Sequence, residues 1–199
     1  MSAREGSAGG LAQRYQTRRV LKTGRRGETL LARDPDTSNL VVIKTATGDF
    51  SPEVRAGLAQ EVALLQPLGG TAAAAVASGH EPGLVYVVSP FVAGMSLQHR
   101  LAAGPLGTGD SLAVARHILR ALERAHAAGV LHCHLTPANV VVMVGSTLDE
   151  AVLVDFLLAP TSHLAAIFGV FDGGAARYLA PEQAGLIGRE VDARADLYS

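Results

Sequence analysis

The first ninety residues alternate short apolar runs with turn-forming residues, a pattern typical of a small antiparallel sheet. Glycine, proline, aspartate and asparagine separate these runs, as expected where a chain reverses direction. The runs of strand length lie at residues 15–23, 28–33, 40–45, 72–77 and 84–88. Between the third and the fourth run, Ser51 and Pro52 suit the start of a helix that extends to about Gln66. This half of the chain therefore predicts a β-rich unit with one helix.

The second half of the chain has the spacing of a long amphipathic helix. Apolar residues recur there at i, i+3, i+7 and i+10, which places them on one helix face. They are Leu112, Ala115, Leu119 and Leu122. Asp110 is suited to cap the start of this helix and Gly129 to end it. Two short apolar runs follow at residues 140–144 and 151–154. We expect a mainly helical unit here, joined to the first near residues 90–94, with a ligand site in the cleft between the two units.

Composition narrows the class of protein. Hydrophobic residues make up 48% of the chain and charged residues 18%, which is enough apolar material for a sizeable core. Seventeen Lys and Arg residues against 18 Asp and Glu residues give a net charge of −1, so we expect no nucleic-acid partner. Apolar runs fall short of the roughly 18–20 residues that span a bilayer, so we expect no membrane segment. The single cysteine, Cys133, excludes an internal disulfide and fits a cytoplasmic protein.

Four positions in the first unit each admit two interpretations. Gly24 and Gly27 lie between two predicted strands, where they either shape a hairpin turn or let backbone N–H groups approach a phosphate. Lys44 ends an otherwise apolar strand and is either solvated or directed at a ligand. Glu61, in the predicted helix, either faces water or turns inward to pair with Lys44 and hold its ammonium for a phosphate.

The histidines raise the question of a metal site. The chain has seven, and His132 and His134 flank Cys133. Ligands that are adjacent in sequence splay apart, and no second cluster has the spacing of a zinc site. We therefore interpret His132 as a structural residue, together with His126 at the end of the predicted long helix.

The stretch His-Cys-His-Leu-Thr-Pro-Ala-Asn at residues 132–139 decides between the open interpretations. It resembles the catalytic loop of eukaryotic-type protein kinases, whose pattern is His-Arg-Asp-Leu-x-x-x-Asn. Other stretches resemble further motifs of that family, in the family's order. They are the glycine-rich loop at residues 21–34, the Val-Ala-Ile-Lys strand at 41–44, Asp-Phe-Gly at 155–157 and Ala-Pro-Glu at 180–182. The resemblance extends from about Tyr15 to the end of the chain and is to bacterial Ser/Thr kinases in particular.

The resemblance implies an α+β, two-lobed protein-kinase fold. Residues 1–13 would form a flexible N-terminal segment and residues 14–92 a small antiparallel β-rich N-lobe with one helix. Residues 93–199 would form a partial helical C-lobe. A helix expected to begin near Arg194 has barely started at Ser199, so we expect the kinase-like domain to be truncated at its C-terminus.

The resemblance also implies a site for ATP and Mg²⁺ between the lobes. Lys44 would touch the α- and β-phosphates with Glu61 as its partner, and Asn139 and Asp155 would hold the magnesium ions that bridge the phosphates. Five further positions would contact the nucleotide by resemblance. They are Gly24, Gly27, Ser89, Phe91 and Val92.

The positions that would transfer the phosphoryl group depart from the family pattern. His134 occupies the place of the catalytic aspartate, and Thr136 that of the lysine that steadies the γ-phosphate. Ala175 stands where a threonine normally bonds those two residues. Cys133 replaces an arginine that pairs with activation-loop phosphate, and Leu157 replaces the glycine of Asp-Phe-Gly, which would stiffen that hinge.

Three functions are open at this point. The first is a pseudokinase, which binds Mg-ATP, is catalytically impaired and serves as a nucleotide-dependent signalling module for an unknown protein partner. The second is an active but atypical Ser/Thr kinase with His134 as general base, because imidazole titrates near neutral pH. The third is a protein-interaction fragment that binds no nucleotide, its pocket closed by Leu157 and by Arg25 and Arg26 at the tip of the glycine-rich loop.

Overall fold

The computed structural model describes residues 10–68, 72–143, 150–156, 163–168 and 175–199, which form two lobes. The elements of the N-lobe are α1 (Leu11–Arg14), β1 (Gln16–Thr23), β2 (Glu28–Arg33), β3 (Leu40–Thr47), α2 (Pro52–Leu65), β4 (Ala72–Ala73), β5 (Ala77–Glu81) and β6 (Leu84–Pro90). Those that follow are β7 (Met95–Ser96), α3 (Leu97–Ala102), α4 (Thr108–Ala127), β8 (Val140–Val142), β9 (Ala151–Val154), α5 (His163–Phe168) and α6 (Ala193–Tyr198). Short 3₁₀ turns lie at Gln66–Leu68, Pro137–Asn139 and Ala175–Tyr178.

Five strands of the N-lobe form an antiparallel sheet in the order β1-β2-β3-β6-β5. The predicted hairpin turn between β2 and β3 is confirmed. Within it the Asp34 carboxylate accepts from the Asp36 N–H at 2.9 Å, and the Asp34 N–H donates to the Asn39 carbonyl at 2.9 Å. Aspartate favours such turns because its side chain bonds the backbone two residues on. The bounds of β1, β2 and β3 differ from the predicted runs by at most two residues.

Helix α2 covers one face of this sheet. Ser51 caps it as predicted, because its hydroxyl accepts from the Val54 N–H at 3.4 Å. The buried side chains of α2 share one core with Val85 and Val87 of β6. They are Leu58, Val62 and Leu65. Burying each of these side chains stabilises the fold by roughly 2 kcal/mol, so the apolar face of α2 fixes the helix against the sheet.

A second sheet connects the two lobes. Its strand order is β4-β9-β8-β7, with β4 parallel to β9 and the other pairs antiparallel. Helix α4 packs against β9 and is followed by Gly129, as predicted. This glycine has a φ of 73°, in the left-handed region that glycine adopts without strain. The loop that follows Gly129 leads to β8.

Helix α4 begins earlier than predicted, and the face that it buries is not the apolar stripe that the sequence spacing identifies. It begins at Thr108, so Asp110 lies in the first turn instead of capping the helix. Of the predicted apolar stripe only Leu122 is buried, whereas Leu112 is 67% exposed and Leu119 is 54% exposed. The side chains that α4 does bury are Val114, Ala121, Leu122 and Ala125. Both faces carry apolar residues, and periodicity alone does not choose between them.

Other expectations about local structure have mixed outcomes. Helix α6 begins where predicted, and Asp192 caps it by accepting from the Arg194 N–H at 2.9 Å. The expected flexible lead instead includes α1, whose Leu11 packs against the core of the N-lobe sheet. Helix α5 lies between Asp155 and residues 180–182, where the sequence analysis identifies no helix. The expectation for Leu157 falls outside the described residues. Along the described ranges, no helix combines the length and the apolar character needed to cross a membrane.

Candidate functional site

The loop at residues 132–139 is held by one buried carboxylate of α6. Asp196 is 2% exposed, and it accepts from the backbone N–H groups of His132 at 2.8 Å and Cys133 at 2.7 Å. The Nε2 atom of His126, near the end of α4, lies 2.8 Å from the same carboxylate. Buried carboxylates need such hydrogen bonds to offset the loss of water. The start of the loop is therefore fixed to both α4 and α6.

Sequence reasoning does not single out Asp196. Its partners lie 63 to 70 residues earlier in the chain, beyond the range of any local pattern. The one sequence signal is that this aspartate lies in the helix expected to begin near Arg194.

Cys133 joins the loop to residues 180–183. Its φ of 57° lies in the left-handed region, which costs a non-glycine residue on the order of 1 kcal/mol. Hydrogen bonds hold it on both sides, because its N–H donates to Asp196 and its carbonyl accepts from Gln183 Nε2 at 2.8 Å. Burial, and after it the Asp196 charge, raises the pKa of the Cys133 thiol to about 12. Cys133 therefore has a structural role and supplies no thiolate.

His132 couples the loop to β9. Its Nε2 lies 3.0 Å from the Val154 carbonyl, and its Nδ1 accepts from the His134 N–H at 3.2 Å, so Nε2 carries the ring proton. The ring packs against Phe156, with centroids 4.5 Å apart. Burial lowers the pKa of His132, although the Asp196 charge opposes that shift. The prediction of a structural histidine is confirmed.

His134 and Asn139 contact each other through their side chains. Asn139 Nδ2 donates to the His134 carbonyl at 2.8 Å and lies 3.0 Å from His134 Nδ1. A carbonyl oxygen can only accept, so the first bond fixes the orientation of the amide. The second hydrogen of Nδ2 is then donated to Nδ1. These bonds engage the Nδ1 lone pair of His134 and do not use the amide oxygen of Asn139.

Lys44 and Asp155 form an ion pair across the cleft. Lys44 lies in β3 and Asp155 directly follows β9, so the pair joins the two lobes. Burial by itself would raise the pKa of Asp155. The Lys44 ammonium, with His134 and His132 nearby, outweighs burial and lowers that pKa overall. The aspartate is therefore ionised at neutral pH.

Glu61, the predicted partner of Lys44, pairs with a different residue. Its Oε1 accepts from the backbone N–H of His163 at 2.7 Å and lies 3.0 Å from His163 Nδ1. Lys44 pairs with Asp155 instead. The expectation of a Lys44–Glu61 ion pair is therefore wrong for this structure, because α5 contacts both α2 and β3 and brings His163 to Glu61.

Gly24 and Gly27 form the turn between β1 and β2. The Gly24 N–H donates to the Gly27 carbonyl at 2.8 Å. A Cβ on Gly27 would lie 1.9 Å from the backbone oxygen of Thr45 in β3, whereas a Cβ on Gly24 would meet nothing closer than 3.4 Å. Close strand packing thus requires glycine at position 27, and contact of this turn with a phosphate stays a prediction. Arg25 and Arg26 at its tip are exposed.

The remaining predicted residues lie in two other places. Ser89, Phe91 and Val92 are partly buried where β6 leads out of the N-lobe. The Phe91 N–H donates to a backbone carbonyl of β3 at 3.1 Å, which ties this connection to the strand that carries Lys44. Thr136 is buried in the loop, and its carbonyl accepts from a backbone N–H three residues later at 2.9 Å. Contact of these residues with a nucleotide stays a prediction.

The donor set at the cleft fits a magnesium ion. The Asn139 amide and the Asp155 carboxylate offer the oxygen ligands that this hard cation prefers. In the parts of the chain that the structure describes, no group of three or more His, Cys, Asp and Glu side chains could hold a metal ion. A magnesium site here would accordingly need phosphate oxygens and water to complete its six ligands.

Comparison with protein families and curated proteins gives consistent similarities. The family model described as protein kinase domain matches residues 15–199. Serine/threonine-protein kinase pkn2 of Myxococcus xanthus is 31% identical over 195 residues, which cover 94% of this chain and 23% of that protein. PknJ of Mycobacterium tuberculosis is 31% identical over 205 residues, which cover 99% of this chain and 34% of that protein. The probable serine/threonine-protein kinase SCO3848 of Streptomyces coelicolor is 32% identical over 205 residues, which cover 95% of this chain and 29% of that protein. The chain spans about a quarter to a third of the length of these relatives.

Solved structures share the fold. The twitchin kinase region from C. elegans aligns with a TM-score of 0.72 at 18% identity, covering 98% of this chain and 34% of that chain. A twitchin kinase fragment aligns with a TM-score of 0.71 at 19% identity, covering 99% and 43%. The predicted α+β, two-lobed protein-kinase fold is confirmed.

Proposed function

This chain belongs to the protein kinase domain family, and from that membership we propose that it binds magnesium-ATP but is impaired in phosphoryl transfer. In such a pseudokinase, nucleotide binding sets the conformation of the domain, and the conformation is what a partner protein reads. The relatives are named as Ser/Thr kinases. This chain keeps some residue types of the kinase pattern and departs from it at others.

The nucleotide part of the proposal is supported by Lys44, Asn139 and Asp155. Lys44 and Asp155 already contact each other, and a phosphate group would take over the Lys44 ammonium. Asn139 and Asp155 would hold Mg²⁺, which bridges phosphate oxygens and neutralises their charge. Because Lys44 lowers the pKa of Asp155, this carboxylate is available to a cation at physiological pH.

The proposal that phosphoryl transfer is impaired rests on one observation, the bond between Asn139 Nδ2 and His134 Nδ1 at 3.0 Å. A general base needs a lone pair within hydrogen-bond reach of the substrate hydroxyl. In the neutral ring Nδ1 accepts from Asn139 and Nε2 carries the proton, so neither nitrogen of His134 is left to accept. A protonated ring has no lone pair either. Thr136 adds no charge at the position where the family has a lysine.

We further propose that the module acts in the cytoplasm on a protein partner. The single cysteine is consistent with a reducing compartment.

Transfer of labelled phosphate from ATP to an acceptor protein tests the impairment. We expect the same background signal from the wild-type chain and from Lys44→Met, together with magnesium-ATP binding by the wild type in calorimetry. A rate that rises between pH about 6 and 7 and is lost in Lys44→Met would instead support an active kinase with His134 as base.

A further inference from the structure

Basic side chains are concentrated at one edge of the N-lobe sheet. Residues 14–33, which include β1, the turn that follows it and β2, hold seven of the 17 Lys and Arg residues of the chain. Glu28 is the one acidic residue among them. This segment therefore has a net charge of +6, whereas the rest of the chain has −7. Such a separation of charge attracts an acidic partner to one side of the molecule.

Strand β1 is the edge strand of that sheet. Among the described strands it pairs with β2 alone, so the backbone N–H and C=O groups along its other side have no strand partner. All eight of its residues are exposed, which leaves this edge open to solvent. An open edge of this kind can pair with an added strand. Eight residues span roughly 26 Å, enough to hold an extended peptide of similar length.

The cations of this edge are free of ion pairs within the described part of the chain. Arg18, Arg19 and Lys22 lie in β1 and are exposed, and Arg25 and Arg26 continue the exposed basic surface into the turn. None of the ion pairs between described residues involves any of the five. Their charge is therefore available to a ligand.

The same charges select the kind of strand that can pair with β1. A second copy of β1 would bring Arg and Lys side chains against one another, and like charges on facing strands destabilise the pairing. Acidic side chains would stabilise it instead. Val20, between the cations, is 47% exposed, so apolar β-branched residues of a partner strand would also find a contact. A membrane surface would use the charges but not the open backbone groups.

We propose that β1 is the docking site for an extended acidic segment of a partner protein, which adds to the sheet as a further strand. Backbone hydrogen bonds along the edge supply affinity, and acidic side chains near Arg18, Arg19 and Lys22 supply specificity. The inference rests on the proposed function, a module that a partner protein reads, and deepens it by naming the surface and the charge of the partner. The docking site uses none of the residues proposed to contact magnesium-ATP.

Fluorescence polarisation with labelled peptides tests both parts of this recognition. The first probe alternates Glu and Val over about ten residues, which suits the length of the edge. The second has the same sequence with every amide nitrogen methylated, so it keeps the charges but has no N–H to donate. The third replaces Glu by Gln and keeps only the backbone donors. Without nucleotide, the Glu-Val probe should bind at least about tenfold more tightly than either of the others.

Variants of exposed residues locate the site. The double variant Arg18→Gln, Arg19→Gln should weaken binding of the Glu-Val probe by about tenfold, and Lys22→Gln alone by about threefold. The matched control is Arg116→Gln, Arg120→Gln, which removes two exposed cations of α4. It changes the net charge by the same amount and should keep the wild-type affinity. All three should melt at the wild-type Tm, because these side chains lie in water.

Four results would overturn the proposal. They are equal affinity for the methylated and the Glu-Val probe, equal weakening by the α4 control, displacement of the Glu-Val probe by magnesium-ATP, and absence of binding to that probe. The last result, with retention of the chain on phosphatidylcholine–phosphatidylserine vesicles, would assign the basic edge to a membrane surface. Because the titrations are done without nucleotide, a failure to bind the peptide is separate from a failure to bind ATP.

Discussion

Asn139 donates one side-chain hydrogen to His134 Nδ1 at 3.0 Å and the other to the His134 carbonyl at 2.8 Å. The backbone bond positions the amide, and the ring bond adds a second contact to the same nitrogen. His134 thus helps to orient Asn139, a residue proposed to hold magnesium, and its own Nδ1 lone pair is used in doing so. His134 occupies the position of the family's catalytic base, and it therefore supports Asn139, a proposed magnesium ligand.

Restoring two residues of the family pattern should raise phosphoryl transfer. The double variant His134→Asp, Thr136→Lys supplies a carboxylate base and a cation for the γ-phosphate. We expect transfer of labelled phosphate to rise by about 10²–10⁴-fold over the wild-type chain, the range that a positioned base contributes. Thr136→Lys alone is the control and should stay near background, because it adds charge without a base. A double variant at background would place the impairment elsewhere in the site.

Removing the Asp196 carboxylate should destabilise the fold strongly. Asp196→Ala leaves the buried N–H groups of His132 and Cys133 without an acceptor, and each such loss costs about 1–3 kcal/mol. We expect the free energy of unfolding, measured by urea denaturation, to fall by about 2–5 kcal/mol. Asp192→Ala removes the exposed cap of the same helix and should cost only about 1 kcal/mol. Equal losses in the two variants would contradict the role of Asp196.

The buried His132 should make the fold less stable at mildly acidic pH. Burial lowers its pKa in the folded state below the usual value of about 6.5, so the unfolded chain takes up the proton first. This contribution to stability is complete above about pH 6.5 and is lost as the pH falls, by at most about 1.4 kcal/mol per pH unit. Urea denaturation across this range measures the slope.

The matched variants for this slope are His132→Gln and His99→Ala. Glutamine keeps a donor for the Val154 carbonyl but does not titrate, so His132→Gln should flatten the dependence. His99→Ala removes an exposed histidine and should leave the slope unchanged. A slope that survives in His132→Gln would assign the effect to another group.

Cys133 should be unreactive in the folded chain. Its pKa of about 12 leaves almost no thiolate at neutral pH, and the residue is 7% exposed. Iodoacetamide should therefore label it at least about a hundredfold more slowly in buffer than in concentrated urea. Rapid labelling of the folded chain, seen by mass spectrometry, would show that the start of the loop is open.

Local structure is predictable where the chain carries its own start and stop signals. Ser51 and Pro52 mark the start of α2, and Gly129 marks the end of α4. The sequence does not predict which face of α4 is buried. Leu112 and Leu119 form an apolar stripe as regular as the buried one, and only the position of β9 and of the core decides which stripe is covered.

Site residues are predictable from the sequence where the order of the family motifs identifies them. Contacts are not predictable where the two partners lie far apart in the chain. The motif order leads to Lys44, His134, Asn139 and Asp155, which the structure brings together in the cleft. The partner of Glu61 lies 102 residues away, at His163. It depends on helix α5, which the sequence analysis does not identify, so no local pattern could have indicated it.

A thermal melt with and without millimolar magnesium-ATP tests the central claim most directly. Ligand at about 100 times Kd stabilises a protein by about 2.7 kcal/mol, which should raise Tm by roughly 5–10 °C for a chain of this size. We predict this increase for the wild-type chain and its loss in Asp155→Ala, each compared with its own ligand-free Tm. A single clean transition that magnesium-ATP does not shift would contradict nucleotide binding and favour a protein-interaction module.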